Sequence, residues 1–310
     1  MTSYPMPDPP SSPYPPYPPY PPGGGMPPGP PPDDPLIPSD LGGWFDRWLR
    51  VCRRSYWRLT KLALLAGTAL LVLGGVLAGV LVGWSAATRV ATQSGNGELA
   101  HGLLIGVPVT LIALAMMAVV IIAQSAMITI VVTDAAGRRL TLWEAVMLAS
   151  RRVLSMALWW LAAPLAVLVG ILLLVVPGIY LAIVFNATLT CVIVIERAGG
   201  GRCFDLIKDR FWATLGRLLL GWVVLHVGQY AATLVFSLPM GLLVALQSSR
   251  PSLGLEITTG AALLLMTTLF VLAYLVANTA MIVVTYAELR GRENRFCTTA
   301  RLADEVTSRA

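Results

Sequence analysis

From residue 62 onward the chain alternates long apolar runs with short, mostly basic connectors. The runs cover Leu62 to Trp84, Leu103 to Val132, Met156 to Val176, Gly178 to Ile195, Leu218 to Leu246 and Ile257 to Ala287. A helix needs about 20 apolar residues to cross a hydrocarbon core of about 30 Å. None of the runs shows the polar-apolar alternation of a porin strand, and backbone amides in lipid must be satisfied within the segment. The pattern therefore predicts an all-α membrane protein with six transmembrane helices. The third and fourth runs are separated by Pro177 alone. One helix through both would be about 60 Å long, twice the bilayer, so a tight turn is predicted at Pro177-Gly178. Pro239 predicts a kink or early exit in the fifth run.

Charge orients the pattern. Threading six spans places all but two of the 22 Lys and Arg residues on one side, the exceptions being Arg89 and Arg250. Positive connectors stay in the cytoplasm, so both termini are expected there, with the protein multi-pass in the plasma (inner) membrane. Charged residues make up only 12% of the chain, apolar residues 56%, and mean hydropathy is +0.73. A net charge of +6 is then read as attraction to anionic lipid headgroups rather than to nucleic acid.

Each outgoing span follows a basic, amphipathic stretch. These are Trp44 to Arg58, Leu142 to Val153 and Phe204 to Arg217. Phe45-Asp46 corresponds to Phe204-Asp205, Arg58 to Arg217, and Arg53-Arg54 to Arg151-Arg152, which predicts a threefold unit of interfacial helix plus transmembrane hairpin. Thr141 with Glu144 predicts a capping box opening the middle interfacial helix. Its Trp143, Val146, Met147 and Ser150 share one side, suited to the headgroup plane. Arg53, Arg54, Arg151, Arg152, Lys208, Arg210 and Arg217 are the expected headgroup contacts.

The first 40 residues differ in kind. Eighteen of the 23 prolines precede Ser39, and Tyr14, Tyr17 and Tyr20 recur within a Pro-Pro-Tyr repeat. Such a composition buries no core and predicts a disordered, partly polyproline-II cytoplasmic tail, either a spacer or a docking arm for protein partners. Residues 41–290 form the transmembrane domain, and 291–310 a short cytoplasmic C-terminal tail.

The segment Pro177-Gly178-Ile179-Tyr180-Leu181, then Glu196, then Phe204, Lys208-Asp209-Arg210-Phe211-Trp212 and Gly216 resembles the bacterial glycerophosphoryl diester phosphodiesterase membrane-domain family. Asp209 stands where that family's pattern has glycine. The resemblance implies a multi-pass membrane part without catalysis, because hydrolysis in fused members belongs to a separate soluble barrel. The segment after Arg290 is too short to hold one.

Reaction chemistry is correspondingly sparse. There are two histidines, His101 and His226, and four cysteines, Cys52, Cys191, Cys203 and Cys297, none at zinc-like spacing. No nucleotide loop or nucleophile elbow is present, so no enzyme activity, metal or cofactor is expected. Within the spans, His226, Gln229, Thr233 and Ser237 share one helical face, as do Thr267, Tyr274, Asn278 and Thr285. Asn186, Thr190 and Gln124 are further polar positions. Polar groups are costly in lipid and are expected to face the bundle interior, either as interhelical hydrogen bonds or as a hydrophilic path or headgroup pocket around His226. Gly75, Gly79 and Gly83 predict a close helix approach, within the bundle or between copies. The expected function is a non-enzymatic component that organises or binds partners and anionic lipids at the cytoplasmic face. The alternative is a transporter or channel for a lipid or small amphiphile.

Overall fold

The computed structural model describes residues 34–91, 98–249, 253–293 and 297–307. The rest, including the Pro-rich segment through residue 33 and Arg250, lies outside the described residues, as do the side chains at 84–91, 98–105 and most of 236–267, among them Arg89, His101, Ser237, Pro239 and Thr267. Within the described residues all regular structure is helical. Nine α-helices follow in order: α1 Leu41–Ala91, α2 Glu98–Ala135, α3 Leu142–Ser150, α4 Val153–Leu173, α5 Val175–Val184, α6 Gly201–Ile207, α7 Phe211–Ser249, α8 Leu253–Glu293 and α9 Thr299–Thr307. Two π-helical turns, Phe185–Leu189 and Val192–Glu196, extend α5 toward the charged end. Five helical stretches are long and apolar enough to cross a membrane: Leu41–Gly83, Gly106–Ala135, Val153–Leu173, Phe211–Val235 and Thr268–Glu293.

The three amphipathic stretches fold differently. The first is continuous with its span, because no glycine or proline interrupts Trp44 to Ala66. Asp40 starts it, its Oδ1 accepting from Gly43 N at 2.8 Å. The second is a separate helix, α3, with the predicted capping box: Thr141 Oγ1 accepts from Glu144 N at 3.2 Å and Glu144 Oε2 accepts from Thr141 N at 2.7 Å. These bonds hold the Glu144 carboxyl below the usual carboxylate range. The third is α6 followed by a turn at 208–210.

The break between the third and fourth apolar runs lies at Leu174, not at Pro177-Gly178. Leu174 is extended (φ −158°, ψ 131°) and its N–H still donates to Gly170 O at 3.0 Å. Pro177 sits in the first turn of α5, where the missing N–H is no loss. Gly178 serves the crossing instead. A Cβ there would lie 2.3 Å from Ile171 Cγ1 and 2.5 Å from Ile171 N, and one at Gly170 would meet Gly178 Cα at 3.0 Å. Two glycines facing each other thus set the α4–α5 distance.

Packing is unequal along the bundle. α2 occupies the centre, with Ile121, Ala126 to Val132 and Thr133 buried. Around it pack α1, α3, α4, α8 and α9, while α7 packs chiefly on α8. At the charged end the core takes in Trp44, Trp48 and Val51 of α1, Ile183, Val184 and Cys191 to Ile195, and Val276, Ala280 to Val284, Tyr286 and Ala287 of α8. Both buried indoles find partners: Trp44 Nε1 donates to Thr285 Oγ1 at 3.2 Å and Trp48 Nε1 to Ala277 O at 2.8 Å. Farther along, α1 from Leu64 to Gly83 is mostly exposed, and a Cβ at Gly75, Gly79 or Gly83 would meet nothing within 4 Å. No neighbouring helix among the described residues uses that ladder.

The segment before α1 and the segment after α8 meet. Leu36 and Ile37 are buried, and Asp34 Oδ1 accepts from both their N–H groups at 3.0 Å. Asp34 Oδ2 accepts from Thr299 N at 3.0 Å, and the Thr299 hydroxyl also donates to Asp34. α9 lays Leu302, Ala303 and Val306 into the core against α2. The segment preceding α1 and the segment following α8 therefore close the same end of the bundle.

Candidate functional site

The charged end is built on carboxylates that terminate apolar spans. Glu196 closes the second π-helical turn, and Arg197 after it takes the left-handed conformation (φ 58°) that turns the chain into α6. One Glu196 oxygen accepts from Tyr286 Oη at 2.7 Å, the other from Arg202 Nε at 2.8 Å, and Arg290 Nε lies 3.4 Å away. Arg202 also grips Glu293 with both terminal nitrogens, at 2.7 and 2.5 Å, and these bonds hold its guanidinium more basic than usual against its partial burial. Arg290 reaches on to Glu305 at 3.1 Å, tying α9 to α8 and the π-helical segment. A second cluster joins Arg217 of α7 to Glu288 of α8 at 2.7 Å, with Arg292 2.8 Å from the same carboxylate. A third joins Arg58 of α1 to Asp134 of α2 and to Leu140 O.

The cations expected at lipid headgroups separate into two groups. Arg217 is 13% exposed and engaged with Glu288, so its charge is used inside the protein. Arg53, Arg54, Arg151, Lys208 and Arg210 are exposed. Arg152 is half-buried beside Arg197, and burial with that like charge brings its pKa down to about 10. Three tryptophans are strongly exposed, Trp57 at 72%, Trp143 at 70% and Trp212 at 79%, as is Tyr230 of α7. A cation lies four residues before each tryptophan, namely Arg53, Arg139 and Lys208, all exposed. α3 buries Ala145 and Ala149 against α2, leaving Trp143 and Met147 outward.

The intramembrane polar residues do not converge in the bundle interior. His226, Gln229 and Thr233 are exposed on α7, and Asn186 is exposed on the first π-helical turn. Asn278 and Gln124 are half-buried. α7 packs mainly against one neighbour, which leaves a wide arc of it uncovered; a 3.6-residue period assigns residues to a shared face but not that face to the core. His226 Nδ1 donates to Trp222 O at 2.8 Å and its ring meets Tyr274 edge-on at 6.2 Å between centroids. Thr233 Oγ1 donates to Gln229 O at 2.9 Å. A shallow groove of about 270 Å³ runs between α7 and α8, lined by Leu225, Gly228, Gln229, Phe270, Tyr274 and Ala277 among others. Of the polar positions singled out in the sequence Thr285 is buried, accepting from Trp44 Nε1 at 3.2 Å and donating to Met281 O at 2.8 Å; buried with no such sequence signal are Ser125, Thr129 and Thr133 of α2, which donate to carbonyls four residues back, as does Thr188.

Arg202, Tyr286, Arg290, Glu288, Glu305 and Asp34 carry the charged end without having been singled out in the sequence. The available signal was a carboxylate at the end of an apolar span, as at Glu196, Asp134 and Glu288. A carboxylate leaving lipid with little exposure requires a cation beside it.

Fold and surface together define a multi-pass, all-α membrane protein. No family model, curated protein or solved structure matches the chain.

Proposed function

We propose that the protein is a non-enzymatic membrane component that binds anionic lipids and organises partners at the cytoplasmic face of the plasma membrane. The observation that carries this reading is the threefold recurrence of an exposed tryptophan four residues after an exposed cation, at Arg53 and Trp57, Arg139 and Trp143, and Lys208 and Trp212. Indoles prefer the headgroup level, and each cation near an anionic surface contributes about 1 kcal/mol. Exposed Arg54, Arg151 and Arg210 extend the same belt, while the paired arginines keep the end rigid. The Pro-Pro-Tyr segment would then project from this face as an arm for protein partners.

Six crossings fit this reading better than five. Asp34 and Thr299 share one end of the bundle, and a chain whose two ends share a side crosses an even number of times. The sixth crossing is α5 with its two π-helical turns, Val175 to Glu196, about 30 Å at helical rise. Three basic stretches leading into the apolar spans of α1, α4 and α7 are in keeping with a threefold origin and with kinship to the phosphodiesterase membrane domain. A transport path around His226 draws less support, because His226, Gln229 and Thr233 face outward.

The test is lipid retention by purified protein in nanodiscs containing equal anionic and zwitterionic phospholipid, read by native mass spectrometry. The intact protein should retain anionic lipid preferentially, and a variant with Arg53, Arg54, Lys208 and Arg210 changed to glutamine should lose that preference. Equal retention by both proteins would reject the belt.

A further inference from the structure

Arg152 and Arg197 flank the open end of the α4–α5 hairpin. Arg152 immediately precedes the apolar stretch of α4, and Arg197 immediately follows the second π-helical turn, so both stand at the charged end of their crossings. The loop after Arg197 is laid against α4. A Cβ at Gly199 would lie 3.1 Å from Trp159 Cζ2 and one at Gly200 2.5 Å from Trp159 Cζ3, so the missing side chains let the backbone rest on that indole. Trp159 is seven residues after Arg152, on the same side of α4, and a helical side chain leans toward the N-terminus. The contact therefore brings the loop to the Arg152 side of the helix.

Nothing balances the two cations. Among the described residues neither forms an ion pair, whereas the withdrawn Arg58, Arg217 and Arg290 each have a carboxylate partner. Glu196, next to Arg197 in the chain, spends one oxygen on Tyr286 and the other on Arg202. Burial and the charge of Arg197 both work against the Arg152 cation, with no carboxylate opposing them. Two guanidinium groups held together without a counter-charge are completed by an anion, and their paired N–H groups match the oxygens of a phosphate. Toward the apolar zone, Leu158, Leu165 and Val169 of α4 form an exposed strip that begins one turn from the exposed Ser155. A ligand with its phosphate at the charged end and an apolar tail directed into the bilayer meets both features.

We propose that Arg152 and Arg197 form a discrete site for the phosphate of an anionic phospholipid, whose acyl chain lies along Leu158, Leu165 and Val169. The site rests on the lipid-binding reading of this face, but it uses none of the four residues whose exchange tests the belt.

Native mass spectrometry of the full-length protein, released from nanodiscs of phosphatidylglycerol and phosphatidylcholine, tests it. After loosely held lipid is stripped, the intact protein should keep one phosphatidylglycerol. Retention should fall at least tenfold when Arg152→Gln and Arg197→Asn are combined, and be largely kept when both become lysine. The variant changed at Arg53, Arg54, Lys208 and Arg210 should keep the single lipid. If the belt fails, that four-residue variant keeps the nanodisc preference of the intact protein; if this site fails, the Arg152, Arg197 variant keeps the single lipid. In lipid-free detergent the neutral pair variant should melt no lower than the intact protein, since two repelling charges are removed, and added phosphatidylglycerol should raise the melting temperature of the intact protein alone. A lower melting temperature without lipid would assign the arginines to the fold and overturn the proposal. Inorganic phosphate stabilising the intact protein as well as phosphatidylglycerol does would make the occupant a soluble anion and overturn the lipid assignment.

Discussion

The charged end and the outward face of α7 treat polar groups in opposite ways. At the charged end Glu196, Glu288, Arg217, Arg290 and Tyr286 are largely withdrawn from solvent, and each is matched by a partner from another helix. On α7, His226, Gln229 and Thr233 lie on the surface at the level of the apolar spans, and the two hydrogen bonds they make run to backbone carbonyls of α7 itself. The groups at the charged end are thus paired between helices, and those on α7 are presented at its surface beside α8.

The sharpest way to break this contrast is at Arg290, which joins Glu196, Glu293 and Glu305. Arg290→Met should cost about 1.5 to 3 kcal/mol by removing the cation shared by three carboxylates, of which Glu196 and Glu293 keep Arg202 and Glu305 keeps Arg301. It should release α9 first, seen as faster amide exchange over Thr299–Thr307. Next in size is Gly178→Leu. With 2.5 Å between its Cβ position and Ile171 N, the hairpin must open, and about 1 to 3 kcal/mol of stability should be lost in a denaturation series. Trp44→Phe keeps most of the buried ring but removes the bond to Thr285, whose hydroxyl still donates to Met281 O, a loss of about 1 kcal/mol in the same series. Smallest should be Thr233→Val on α7, within about 0.5 kcal/mol for the isolated chain in detergent, since a surface residue with one local bond is removed. A large destabilisation there would place the stripe inside the fold and dissolve the contrast.

Much of the fold was legible because lipid enforces it. Apolar runs of sufficient length located α1, α2, α4, α7 and α8, and Thr141 with Glu144 located the start of α3. Proline was misleading at 177, since the same residue that ends a helix also begins one; the true break, Leu174, is one leucine among several and carries no compositional mark. The π-helical turns at Phe185–Leu189 and Val192–Glu196 are equally silent in the sequence, yet they deliver Glu196 to Tyr286 and Arg202. The candidate site was half legible. Helical spacing correctly put His226, Gln229 and Thr233 on one face, but the direction of that face depends on how many neighbours α7 has. Arg217 was grouped with the headgroup cations because its partner Glu288 lies on a distant helix that local pattern does not connect to it.

The central claim is an even number of crossings with the charged end facing the cell interior, and impermeant thiol labelling of intact cells tests it most directly. Leu174→Cys, at the tip of the α4–α5 hairpin, should be labelled from outside, and Lys208→Cys only after the membrane is permeabilised. Labelling of Lys208→Cys in intact cells, with Leu174→Cys protected, would contradict the account.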